Sequence, residues 1–196
     1  LTKDLNLTAY KSFPSEVAEL ASMSMELLSM KYWEEFYGTE DDLKRAKKEH
    51  LESIIMVLPW VATIDAFQHW IYENPDHSRA ERKAKWHELG ERFGTGLTDW
   101  EGYETARDYA WHKQLHLFEV PFYYIEYGFS QLGALGVWKN SLSDEKSAID
   151  QYKAGLSLGY TKDIKSIYTA AGVKFDFSGA YIKELSEMIV AQLDEI

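Results

Sequence analysis

The clearest helical signal in this sequence is Glu16-Val17-Ala18-Glu19-Leu20-Ala21-Ser22-Met23-Ser24-Met25-Glu26-Leu27-Leu28. Its apolar residues recur every three or four positions, which is the period of one face of an α-helix. This pattern predicts a helix over residues 16–36 that ends before Gly38. Glu19 and Glu26 lie two turns apart on the mostly apolar stripe. A charged group is costly there unless it is paired, bound to a metal or placed at the edge of the stripe.

The same helical period continues along the rest of the chain. Pro59 is expected to kink the second helix or to restart it. Only short turns connect the segments, and the sequence shows no hairpin signal, internal repeat or linker. We therefore predict an all-α fold in which several helices form one compact unit. The further predicted helices span residues 39–57, 60–72, 78–93, 111–117, 121–138, 143–158, 161–172 and 178–193.

The composition excludes several classes of protein. A length of 196 residues fits one domain. The 32 acidic and 21 basic residues give a net charge of −11 without a long basic tract, so no nucleic-acid partner is expected. The lack of cysteine excludes disulfides and cysteine-bound zinc, and it fits a reducing compartment such as the cytoplasm. No apolar run approaches the roughly 18 residues that cross a bilayer, so no membrane partner is expected.

Histidine and carboxylate side chains are the metal ligands that this composition leaves. The nearest match to the zinc motif HExxH is His87-Glu88-Leu89-Gly90-Glu91, in which a glutamate stands where the second histidine is needed. This stretch therefore fits an amphipathic surface segment. His112 and His116 have the i, i+4 spacing of neighbours on one helix face. They form either a metal-binding pair or two polar groups that border a cleft.

The densest group of chemistry-bearing residues lies between His116 and Gly128. It contains Tyr123, Tyr124 and Tyr127, which are neighbours at helical spacing. Phenol groups that point into a cleft can donate hydrogen bonds to a developing oxyanion. The alternative is a buried aromatic helix whose hydroxyl groups have found partners within the protein.

Five blocks of the sequence, taken in order, resemble oligoendopeptidase F, of the thimet-oligopeptidase family of zinc peptidases. The strongest block is Trp111-His112-Lys113-Gln114-Leu115-His116-Leu117-Phe118, followed by Pro121-Phe122-Tyr123-Tyr124-Ile125-Glu126-Tyr127. The blocks cover essentially the whole chain, and their order and spacing carry the resemblance more than any single block does. The other four span residues 13–28, 67–72, 81–93 and 171–177.

The resemblance implies an all-α fold that forms one part of a zincin-type peptidase channel. In that family zinc is held by the two histidines of HExxH and by a glutamate on a later helix. Glu19 occupies the position of that glutamate, so the resemblance makes it the third zinc ligand. Glu26 is a candidate to hydrogen-bond and orient a zinc-bound histidine, because it lies two turns further along the same stripe.

The resemblance also implies catalytic and substrate-binding roles. His116 and Tyr127 correspond to the residues that bind substrate and stabilise the oxyanion, with Tyr124 beside them as a further catalytic candidate. Tyr123 and His112 are expected to contact the peptide. The register among the three tyrosines stays open at this stage.

The motif HExxH occurs nowhere in residues 1–196. In the family it precedes the ligand glutamate by a couple of dozen residues, so we expect it just upstream of Leu1. The chain is then the C-terminal portion of a catalytic domain, inactive alone, with short peptides as substrates and the upstream part of the protein or a second copy as partner. One alternative is a non-catalytic all-helical interaction module. Another is a self-contained metalloprotein that uses His112, His116 and a glutamate.

Overall fold

The computed structural model describes residues 1–196 and contains helices and turns but no strand. The predicted all-α fold class is confirmed. Four short 3₁₀ helices span Thr8–Lys11, Met30–Glu35, Ala110–Lys113 and Gly159–Thr161. The α-helices are α1 (Ser15–Ser29), α2 (Glu40–Glu73), α3 (Arg79–Phe93), α4 (Glu104–Asp108), α5 (His116–Glu119), α6 (Ile125–Ser143), α7 (Glu145–Ser157), α8 (Ile164–Ala170) and α9 (Gly179–Asp194).

The chain divides into two compact units. Unit one consists of residues 1–55 and 129–196, and unit two consists of residues 56–128. Both boundaries fall inside long helices, the first in α2 and the second in α6. Because a helix carries none of the Gly-, Pro- or Ser-rich composition of a linker, this division has no signal in the sequence.

Unit one is built around the apolar face of α1. The side chain of Leu20 is fully buried, as the helical period predicted. A Cβ atom at Gly133 of α6 would lie 2.8 Å from Leu20 Cδ1 and 2.6 Å from the Tyr168 ring, so only glycine allows this close packing. The Ser130 hydroxyl donates a 2.7 Å hydrogen bond to the backbone carbonyl of Glu16, which joins α6 to the start of α1.

Unit two has an aromatic core. The Phe67 ring lies 5.1 Å from the Trp86 ring and 5.4 Å from the Trp111 ring, centroid to centroid. The indole N–H of Trp86 donates a 2.9 Å hydrogen bond to the Arg107 carbonyl, which satisfies the polar atom of this buried ring. The buried members of this core are Ile64, Phe67, Trp86, Leu89 and Trp111.

Helix α2 runs without interruption through Pro59. Proline removes one backbone hydrogen bond from a helix interior. The Thr63 hydroxyl donates to the Pro59 carbonyl at 2.9 Å, and buried side chains on both sides of the proline hold the helix in place. By length and composition α2 is also apolar enough to cross a membrane. Three of its apolar side chains, Ile54, Ile64 and Phe67, are buried in the folded chain.

Four predicted helix starts are confirmed by side-chain caps. Ser78 forms a capping box with Glu81 at the start of α3. Asp144, Asp163 and Ser178 each accept a backbone N–H bond at the starts of α7, α8 and α9. These bonds satisfy N–H groups that the first helical turn leaves without partners.

Two predicted helices are wrong in their bounds, and both lie in the strongest block of resemblance. Residues 111–117 do not form one helix, because Gln114 has φ −92° and ψ 85° and separates a 3₁₀ turn from α5. The helix predicted from Pro121 begins only at Ile125, because Phe122 adopts φ 62°. His112 and His116 therefore do not share one helix face, and Tyr123 and Tyr124 precede α6.

Two further differences concern short elements. The predicted helix over residues 16–36 ends at Ser29 and continues as the 3₁₀ helix Met30–Glu35. Helix α4, Glu104–Asp108, was not predicted, because five residues are too few to show a helical period.

Candidate active site

His116 and three tyrosines form one cluster in unit two. His116 opens α5, Tyr127 lies in the first turn of α6, and Tyr123 and Tyr124 occupy the turn between the two helices. His116 Nε2 lies 3.1 Å from the Tyr127 hydroxyl oxygen. The His116 ring stacks on Tyr123 at 5.9 Å and meets Tyr124 edge-on at 5.0 Å, centroid to centroid. The structure thus brings together four of the residues singled out from the sequence.

A relay of hydrogen bonds orients this cluster. The indole N–H of Trp60, which can only donate, reaches Gln114 Oε1 at 3.4 Å. This contact directs the Gln114 amide nitrogen toward His116 Nδ1, which lies 2.9 Å away and must accept. His116 then carries its proton on Nε2 and donates to the Tyr127 oxygen. The hydroxyl proton of Tyr127 consequently points away from His116.

Tyr124 shares the same indole donor. Trp60 Nε1 lies 3.1 Å from the Tyr124 hydroxyl oxygen. Burial raises the pKa of Tyr124 above its usual value, while the hydrogen bonds from Trp60 and Gln114 act in the opposite direction. Because burial wins, Tyr124 holds its proton more firmly than an exposed tyrosine. It is suited to donating a hydrogen bond rather than to ionising.

A strained turn places the tyrosines. The Tyr123 N–H bonds to the Val120 carbonyl at 3.1 Å, and Phe122 within this turn has φ 62°. A positive φ in a non-glycine residue is unfavourable and persists only when its surroundings impose it. The constraint comes from Gln68, whose Oε1 accepts a 3.0 Å hydrogen bond from the Phe122 N–H. Gln68 is buried on α2, so it ties the turn to a rigid helix.

His112 lies in a different environment from His116. Its ring contacts Trp111 at 4.1 Å and Tyr109 at 5.1 Å. It lines a pocket with basic residues of α3 rather than joining the tyrosines. A contact between His112 and a peptide substrate therefore stays a prediction.

Glu19 and Glu26 belong to unit one. Glu19 is half-buried on α1, whereas Glu26 is exposed and faces His50. Burial lowers the pKa of His50, and the negative charge of Glu26 acts in the opposite direction. The role of Glu26 beside a zinc-bound histidine stays a prediction.

The donor set decides how far these residues fit a zinc ion. A carboxylate such as that of Glu19 is a ligand that zinc accepts, but protein zinc sites use at least three protein ligands. The chain brings together no group of three His, Asp or Glu side chains that can hold a metal ion. The role of Glu19 as a zinc ligand therefore stays a prediction. The self-contained metal centre with His112, His116 and a glutamate does not form.

The sequence also matches a known family. Residues 2–187 match the sequence profile of peptidase family M3. The chain belongs to peptidase family M3. Among curated protein sequences it has no significant match.

Solved structures resemble the whole of this M3 chain. A protein assigned as an oligoendopeptidase F is 29% identical, with a TM-score of 0.86. PZ peptidase A, solved with an inhibitor, is 26% identical, with a TM-score of 0.90. A further protein assigned as an oligoendopeptidase F, from Bacillus anthracis, is 27% identical, with a TM-score of 0.78.

Each of these matches covers 100% of this M3 chain, but only 34%, 34% and 31% of the three longer chains in that order. The chain therefore spans about a third of the length of these structures. The resemblance to oligoendopeptidase F that the sequence blocks indicated is confirmed.

Four residues that support the cluster of the M3 chain were not found from the sequence. They are Trp60, Gln68, Gln114 and Phe122. Gln114 lies between His112 and His116, and Trp60 follows Pro59, so both are next to residues that the sequence singles out. Nothing local distinguishes Gln68 or Phe122, because their roles arise from a contact between residues 54 positions apart.

Proposed function

We propose that this chain is the C-terminal portion of the catalytic domain of a zinc oligopeptidase that hydrolyses short peptides in the cytoplasm. Membership of peptidase family M3 supports the peptidase assignment. The observation that carries the catalytic role is the relay from Trp60 through Gln114 and His116 to Tyr127. This relay directs the hydroxyl proton of Tyr127 away from His116, as donation to an oxyanion requires.

In this proposal Glu19 is the one zinc ligand that the chain supplies. The two histidines and the general base of HExxH come from the part of the protein that precedes these residues. Zinc, when bound, polarises the peptide carbonyl and activates a water molecule for attack on it. The match to only a third of the related structures supports such a division of the site.

The tyrosines act on the substrate. Tyr127 and Tyr124 donate hydrogen bonds to the oxygen that becomes negative when the carbonyl is attacked. Removal of one such donor costs about 10²–10³ in kcat in other enzymes. His116 orients Tyr127, while Tyr123, stacked on His116, and His112 contact the peptide. Since burial keeps the pKa of Tyr124 high, its proton stays on the phenol throughout.

The partner of the chain is the remainder of the same protein. Large apolar side chains at the end of α1 and just after it are exposed, among them Met25 at 54% and Phe36 at 79%. Exposed apolar groups favour burial against another surface. We propose that they contact the upstream part, with a second copy of this chain as the alternative partner.

The experiment is hydrolysis of a quenched fluorescent peptide with zinc, by the chain alone and by the chain mixed with the segment that carries HExxH. We expect activity only in the mixture, abolished by Glu19→Gln and reduced about 100-fold by Tyr127→Phe. Tyr160→Phe is the matched control, because this tyrosine is exposed. No activity in a mixture whose pieces associate and bind zinc would leave the non-catalytic interaction module as the better interpretation.

A second variant tests the relay without relying on hydrolysis. In Gln114→Glu the carboxylate can only accept, so a neutral His116 must carry its proton on Nδ1 and accept from Tyr127 through Nε2. The Tyr127 proton then points inward. We expect ¹⁵N NMR of the His116 ring to report the opposite tautomer from that of the unmodified chain. An unchanged tautomer would show that Gln114 does not set the direction of the relay.

A further inference from the structure

A basic pocket in unit two includes His112, but its charged residues have no role in the proposed chemistry. Its volume is about 500 Å³, and it lies between the first turn of α3 and the segment that leads to His112. We call it the arginine pocket. Its polar lining consists of Arg79, Arg82, Lys83, Asp108, Tyr109 and His112.

The arginine pocket keeps an excess of positive charge in a chain whose net charge is −11. Asp108 is its only carboxylate. Its Oδ2 lies 3.1 Å from Lys83 Nζ, and its Oδ1 lies 2.9 Å from His87 Nε2, without the alignment of a hydrogen bond. Neither Arg79 nor Arg82 forms an ion pair, although Arg107 nearby pairs with a glutamate. Two guanidinium groups in the pocket are thus left without a counter-charge from the chain.

Arg82 packs against the ring of Trp111. Its guanidinium carbon lies 5.7 Å from the centre of the buried Trp111 ring, and the side chain is half-buried. Its Nε atom is buried and has no hydrogen-bond partner. A buried donor without a partner is costly, and an anion in the pocket would remove that cost. Arg79 lies one turn earlier on α3, at the exposed rim.

We propose that the arginine pocket binds a carboxylate group of the peptide substrate. This inference rests on the proposed function for the substrate class, whereas the need for an anion rests on the pocket itself. Guanidinium groups match the two oxygens of a carboxylate in shape and charge. The carboxylate belongs either to the C-terminus of the peptide or to an acidic side chain.

The arginine pocket and the cluster around His116 belong to the same unit, and His112, which lines the pocket, precedes His116 by four residues. In this proposal one peptide reaches both.

The test is direct binding of fluorescent tetrapeptides to the full chain, without zinc and without hydrolysis. Three peptides are compared: a free C-terminal acid, its amide, and an amide with glutamate in place of glutamine. We expect at least one carboxylate-bearing peptide to bind about tenfold more tightly than the amide. A preference for the acid identifies the C-terminus, and a preference for the glutamate amide identifies an acidic side chain.

The variants are Arg82→Met, which keeps the apolar stem on Trp111, and Arg79→Met at the rim. The matched control is Arg92→Met, on the same helix but outside the pocket. We expect the tenfold preference to disappear in Arg82→Met, to weaken in Arg79→Met and to persist in Arg92→Met. If Arg82→Met fails to fold, Arg79→Met decides the question.

Two results would overturn the inference. One is equal affinity for all three peptides. The other is tight binding of inorganic phosphate, lost in Arg82→Met, with no preference among the peptides. Neither binding measurement depends on hydrolysis. The inference about the pocket and the proposed peptidase activity can therefore fail separately.

Discussion

Phe122 has a left-handed backbone conformation, so glycine at this position should be less destabilising than alanine. We compare Phe122→Gly with Phe122→Ala. Both variants lose the ring, which is 37% exposed and contacts His69 and Tyr72 at 5.0 Å. Full burial of such a ring is worth about 1.5–3 kcal/mol, so the loss here is about 1–2 kcal/mol and is the same for both variants.

The two variants differ only in the backbone term. A φ of 62° costs an L-residue about 1–2 kcal/mol, and glycine does not incur this cost. Glycine in turn loses about 0.5–1 kcal/mol of stability because its unfolded chain is more flexible. With both ranges at their midpoints, Phe122→Gly is more stable than Phe122→Ala by about 0.8 kcal/mol.

Urea unfolding followed by tryptophan fluorescence measures this difference. Tyr103 provides the control pair, because it is 68% exposed and has an ordinary φ of −122°. There the alanine variant should be the more stable one. If Phe122→Ala equals or exceeds Phe122→Gly in stability, the turn is not strained and the argument that Gln68 imposes it fails.

Three further changes are predicted. Burial raises the pKa of Tyr168 above its ordinary 10.0, so the unfolded chain loses this proton first and stability falls as pH rises above 10. Tyr168→Phe should reduce that slope by about 1.4 kcal/mol per pH unit in urea unfolding, and an equal slope would contradict this. Glu26→Gln should lower the pKa of His50 further, which NMR titration of the histidine measures. The loss of stability as pH falls through 6.5 should then be steeper. An unchanged pKa of His50 would show that Glu26 and His50 do not interact. Gly128→Ala brings a Cβ to 3.2 Å from Val61 Cγ1, so a double-mutant cycle should find it better tolerated with Val61→Ala, and strict additivity would exclude the clash.

Helices with local signals were predictable from the sequence. Ser78 and Glu81 mark the start of α3 by a capping box, and Ser178 marks the start of α9 by a side-chain cap. The apolar stripe of α1 likewise identified buried Leu20. These features depend on residues within one or two turns of each other, so the chain order alone contains them.

The candidate site could be predicted in membership but not in geometry. Proline is common at the first position of a helix, so Pro121 favoured a helix start there. The observed turn forms instead because Gln68, far away in sequence, binds the backbone of Phe122. A contact of this kind has no local signal. The resemblance places only Glu19 of the expected zinc ligands in this chain, and no group of three His, Asp or Glu side chains comes together here.

One side chain gives the cluster its direction. Trp60 is the only member of the relay that cannot accept a hydrogen bond, so it fixes the orientation of Gln114 and, through it, the tautomer of His116. It also donates to Tyr124, which directs that proton away from the indole. The directions of the Tyr124 and Tyr127 hydroxyl protons are therefore set by Trp60, which lies on α2, outside the segment with the strongest resemblance. The four clustered residues can be predicted from their own segment, but their proton arrangement depends on a helix that the chain forms some fifty residues earlier.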